Sequence, residues 1–78
     1  MTNIELLELK IQESGKKKGY LASKLGMTLA TFRKYCVNIY EFRAGHINIL
    51  CDELGITTLE ERHIIFFAND DALKASNA

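Results

Sequence analysis

Seventy-eight residues, 47% of them hydrophobic, suffice for one domain with a modest core, and two cysteines are too few for a disulfide framework. Ten basic and ten acidic side chains cancel, which speaks against a body that binds nucleic acid over its whole surface. The longest apolar run, Ile64-Ile65-Phe66-Phe67-Ala68, falls far short of a membrane span, and Met1-Thr2-Asn3-Ile4-Glu5 lacks the basic start and apolar stretch of a secretory leader. A cytoplasmic protein that meets no membrane is expected.

No proline punctuates the chain, so caps and glycines set the element boundaries. Thr2 with Glu5 reads as a capping box opening a first helix that runs to about Ser14, where Ser14-Gly15 ends it. Ile4, Leu7 and Ile11 share one face of it at helical spacing. A short second helix covers about Lys17 to Leu25, with Leu21, Ala22 and Leu25 inward and Gly26 closing it. Thr28 caps a third helix reaching about Val37, whose inward stripe is Phe32, Tyr35 and Cys36. Asn38 is a natural stop, and a loop follows to Phe42. A fourth helix spans about Ala44 to Leu54, with Ile47, Leu50, Cys51 and Leu54 on its apolar face and Gly55 at its end. Thr58 with Glu61, or Thr57 with Glu60, opens a last helix that carries Leu59, Ile64, Ile65, Phe66, Phe67 and Leu73. Asp70-Asp71 reads as its solvated end, and the 75–78 tail as frayed. The expectation is an all-α domain of five helices.

The zero net charge hides an asymmetry. Between Ser14 and Tyr40 stand six basic residues (Lys16, Lys17, Lys18, Lys24, Arg33 and Lys34) and no acidic one. The flanks hold four basic residues and all ten acidic ones. Such a middle is either a face that meets phosphates or a solvated lysine-rich face, and charge alone leaves both open.

The sequence around Gly26 narrows the choice. Two helices crossing steeply over a tight turn need a small residue at the crossing, a left-handed backbone position in the turn, and apolar anchors on both sides. Ala22, Gly26, and the set Leu21, Leu25, Met27, Phe32 and Tyr35 meet these three demands. This series resembles the helix-turn-helix of lambda-repressor-like regulators, the small Cro- and Xre-type proteins of phages and bacteria. Gly15-Lys16-Lys17-Lys18 before the motif extends the resemblance over nearly the whole chain. So do Glu41-Phe42, Ile47 to Ile56, and Phe66-Phe67-Ala68 after it.

The resemblance implies a compact five-helix lambda-repressor-like domain that occupies a double-stranded DNA operator and controls transcription. It implies that Thr28 caps a recognition helix and that Thr28, Leu29, Ala30, Arg33 and Lys34 meet DNA. Lys17 and Lys18 would lie near the backbone, and the loop from Asn38 to Arg43 would approach a phosphate on the far side. Leu29 and Ala30 stand where such helices often carry hydrogen-bonding side chains; they can touch a thymine methyl but make no bidentate bond to a base edge. Arg43 and His46 occupy the positions of a capping box before the fourth helix, so that cap is expected to be missing.

Neither a cofactor, a metal nor an enzymatic activity is expected. The spacing of Cys36, Cys51, His46 and His63 fits no zinc pattern, and both cysteines lie on apolar helix faces. His46 reads as a surface residue. The run Ile64 to Phe67 is apolar all round, so Ile64, Phe66 and Phe67 are candidates for a homodimer or partner contact. A second functional class stays open: a module of the same fold that binds another phage or host regulatory protein, as a repressor modulator, antirepressor or anti-CRISPR-like inhibitor, through Leu29, Ala30 and exposed aromatics.

Overall fold

The computed structural model describes residues 1–67. Leu73, the Asp70-Asp71 pair and the 75–78 tail lie outside them. The described residues form five helices and no strand: α1 Ile4–Ser14, α2 Lys18–Lys24, α3 Leu29–Cys36, α4 Ala44–Leu54 and α5 Leu59–Phe66.

Each helix contributes a buried stripe to one core. Leu7 and Ile11 come from α1, Leu21 and Ala22 from α2, Phe32 and Cys36 from α3. Ile47, Leu50, Cys51 and Leu54 come from α4, and Ile65 and Phe66 from α5. Helix α2 packs on α3 and α4, while α1 lies against α4 and α5. Aromatic rings fill the space under the α3–α4 loop: Phe42 lies 6.2 Å from Phe32, 5.2 Å from Tyr35 and 5.8 Å from Phe66, centroid to centroid. Cys36 and Cys51 are free and buried. Burial pushes the Cys36 thiol up to about 11 and raises that of Cys51 too, which keeps both protonated at neutral pH.

The first cap differs from expectation. Asn3, not Thr2, caps α1, its Oδ1 accepting the Leu6 N–H at 3.1 Å. Thr2 is buried and its backbone is held by Asn38: the Thr2 N–H donates to Asn38 Oδ1 at 3.0 Å, and Asn38 Nδ2 donates to the Thr2 carbonyl at 2.9 Å. That two-way bond fixes the chain at Thr2, two residues ahead of the helix, and the cap falls to the next polar side chain, Asn3. Thr58 caps α5, accepting from the Glu61 N–H, and Leu59 beside it is 82% exposed, outside the core.

The fourth helix does not lack its cap bond altogether. The Arg43 side chain makes none, but His46 Nδ1 accepts the Arg43 backbone N–H at 3.3 Å. An imidazole nitrogen does the work of the usual carboxylate, and its ring is half-buried at the surface against Tyr35, 5.3 Å away edge-on.

Candidate nucleic-acid interface

The α2–α3 pair is built around one backbone position. Gly26 has φ 71°, the left-handed region, and the Met27 N–H reaches back to the Ala22 carbonyl at 3.0 Å. This is the six-to-one closure that lets a helix stop and the chain turn at once. A Cβ at Gly26 would meet nothing within 4 Å, so the demand for glycine comes from the backbone itself and not from a crowding neighbour. Ala22 is 1% exposed and Leu21 fully buried, which pins α2 against the core. Thr28 then caps α3: its Oγ1 accepts the Thr31 N–H at 3.2 Å and donates to Thr31 Oγ1 at 3.0 Å.

Helix α3 has two opposed faces. Successive residues turn by about 100°, so Phe32, Tyr35 and Cys36 group on one side and Ala30, Arg33, Lys34 and Val37 on the other. Phe32 and Cys36 are buried and Tyr35 half-buried, whereas Ala30, Arg33, Lys34 and Val37 are exposed. Leu29 is half-buried on the flank.

The six cations of the basic segment divide into two groups. Lys16 Nζ sits 2.8 Å from Glu53 Oε1 and 2.7 Å from the Glu53 carbonyl; Lys18 Nζ lies 2.7 Å from Glu8 Oε1. The hydrogen bond to Glu53 raises the Lys16 ammonium above its ordinary value, and the same bond, with one from the Tyr20 hydroxyl at 2.9 Å, lowers the Glu53 carboxyl. Lys17, Lys24, Arg33 and Lys34 have no carboxylate within 4.0 Å among the described residues. Lys24 lies over the Tyr20 ring at 5.5 Å and Lys34 over the Tyr40 ring at 6.0 Å. Both contacts leave the positive charge available to an anion.

The remaining expected site residues are placed as follows. Asn38 has φ 65° and ends α3 in the manner of a glycine, with the Ile39 N–H closing on the Lys34 carbonyl at 2.9 Å. Its amide is spent on Thr2, leaving Arg43, exposed at the α4 N-cap, as the cation of that loop. In α5, Phe66 is 3% exposed and belongs to the core, not to a docking face. Ile64 is 43% exposed and Phe67 half-buried. A docking face there therefore reduces to Ile64 and the half-buried Phe67, since Leu59, though exposed, lies about 140° round α5 from Ile64.

Three features were not anticipated from the sequence. The Lys24 ammonium lies over the Tyr20 ring, and their spacing of four on α2 is the one local signal for that contact. Tyr40 carries Lys34, a contact across the end of α3 that helical spacing does not announce. Val37 and Ile39 are exposed to 54% and 63%, although both are apolar.

No helix among the described residues is long and apolar enough to cross a membrane, and no group of three or more His, Cys, Asp or Glu among them is placed to hold a metal ion. Comparison with known protein families, curated proteins and solved structures finds no match.

Proposed function

We propose that this chain is a DNA-binding transcriptional regulator of the lambda-repressor-like helix-turn-helix type, of phage or mobile-element origin, acting by occupying an operator rather than by catalysis. In this reading α2 and α3 are the two helices of the motif and α3 enters the major groove. One observation carries it. The outward face of α3 bears Arg33 and Lys34 with no carboxylate in reach among the described residues, on a helix whose other face is locked into the core and whose start is capped by Thr28. Arg33 is the one side chain on that face whose planar fork matches the paired acceptors of guanine. Lys17, Lys34 and Arg43 serve as phosphate contacts.

Ile64, with the half-buried Phe67 three residues on, supports a two-fold dimer through α5. Such a dimer presents two copies of α3 roughly 34 Å apart, one turn of duplex. The cellular setting that goes with this function is the cytoplasm.

The exposure of Val37, Ile39 and Tyr40 at the end of α3 favours a second reading. A protein-binding module would use that apolar ridge, with Leu29 and Ala30, to hold another regulator and would not read DNA.

Titration separates the two. Wild type, Arg33→Ala and Leu29→Lys are measured against the duplex upstream of the chain's own gene and against candidate repressor partners. The regulator reading expects Arg33→Ala to lose 1–3 kcal/mol, roughly, of operator binding. No sequence preference in the wild type at physiological salt, together with a protein complex abolished by Leu29→Lys, establishes the second reading instead.

A further inference from the structure

The hydrogen-bonding inventory at the start of α3 is unusually short. The Thr28 hydroxyl accepts the Thr31 N–H and donates to Thr31 Oγ1, so its one donor is spent within the helix cap. Thr31 itself stands half-buried on the flank of the helix. Leu29 and Ala30 bring only hydrocarbon, and of the two Ala30 is the exposed one. Arg33 is the first side chain after the cap with free donors on the outward face. The N-terminal part of a recognition helix is the part that meets base edges. Among the groups a base pair shows in the major groove, the only methyl is the one on C5 of thymine.

We infer that the DNA half-site is read by a methyl contact from Ala30, flanked by Leu29, next to a guanine contact from Arg33, so that the ligand is a duplex with a thymine close to a guanine in the core of each half-site. This rests on the operator reading above. The other cations supply affinity without choosing a sequence, because a point charge on a phosphate is indifferent to the base it belongs to. Discrimination is thereby confined to two neighbouring contacts, of which one needs no hydrogen bond.

The test starts from a random duplex library selected on the full chain at physiological salt. In the selected site each thymine is replaced singly by deoxyuridine, which removes the methyl and leaves Watson–Crick pairing intact. Burial of one methyl predicts a loss of about fourfold in affinity at the contacted thymine and none at the others. Ala30→Gln, checked for folding by thermal melting, puts a hydrogen-bonding reader in place of the methyl. It should abolish the deoxyuridine effect at that position and favour adenine there. A selected site that tolerates deoxyuridine at every thymine overturns the methyl inference and leaves the operator reading standing. A library that yields no preferred sequence overturns both.

Discussion

Lys17 and Lys18 are neighbours in sequence and opposites in structure. Lys18 crosses to Glu8 on α1, and Lys16 before it crosses to Glu53 on α4, so the start of the basic segment is tied to the acidic flanks. Lys17 between them is exposed and meets no carboxylate among the described residues, and the same holds for Lys24, Arg33 and Lys34. A charge count treats all six as equal. The structure divides them into cations that hold helices together and cations that remain for an anion from outside.

The same division runs through α3, and the largest expected effect breaks it there. Phe32 is fully buried, and Phe32→Ala should cost about 3–5 kcal/mol of stability in chemical denaturation, unfolding much of the population of so small a domain. Arg33, the next residue, is exposed; Arg33→Ala should leave the denaturation midpoint nearly unchanged while removing roughly 1–3 kcal/mol of duplex binding. Adjacent positions would thus separate stability from binding. Equal effects on both quantities at both positions would show that the two faces are not independent.

A smaller effect is expected at the turn that holds the two helices together. With φ 71° and no neighbour for a Cβ, Gly26→Val meets backbone strain alone, about 1–2 kcal/mol in thermal or urea unfolding. Gly26→Asn should cost less, because Asn tolerates the left-handed region, as Asn38 does here at φ 65°.

The smallest effect sharpens the tied end of the basic segment. The Glu53 carboxyl is lowered from its ordinary 4.5 by hydrogen bonds from Lys16 and then from Tyr20. A carboxyl lowered in the folded state contributes stability above its unfolded value and loses it as pH falls through the folded one. Glu53→Gln should therefore flatten the fall of stability expected of the wild type below about pH 4.5, and leave the slope near neutrality as it was.

Local chemistry made much of the fold legible. The cap at Thr28, the left-handed Gly26 and Gly55, and the span of α4 follow from spacing and residue type within one helical turn. What escaped depends on partners distant in the chain. Thr2 looks as good a cap as Asn3 until Asn38, thirty-six positions away, takes hold of its backbone. Four apolar residues in a row, Ile64 to Phe67, give no phase to a helical pattern, so the burial of Phe66 and the exposure of Ile64 emerge only once α5 is docked. The site was partly visible for the same reason. Arg33 and Lys34 stand outward by periodicity, whereas the loss of Lys16 and Lys18 to ion pairs with Glu53 and Glu8 is set by tertiary packing. His46 as a stand-in acceptor for Arg43 departs from the usual cap residues and had no signal in the pattern.

The most direct measurement compares Lys17→Gln with Lys18→Gln in the salt dependence of duplex binding. If the unpaired cations are the ones that meet phosphate, Lys17→Gln lowers the slope of log affinity against log salt by about one ion, while Lys18→Gln, whose ammonium is held 2.7 Å from Glu8, changes it far less. An equal loss from both substitutions, or no change from Lys17→Gln, would contradict the division of the basic segment on which the proposed interface rests.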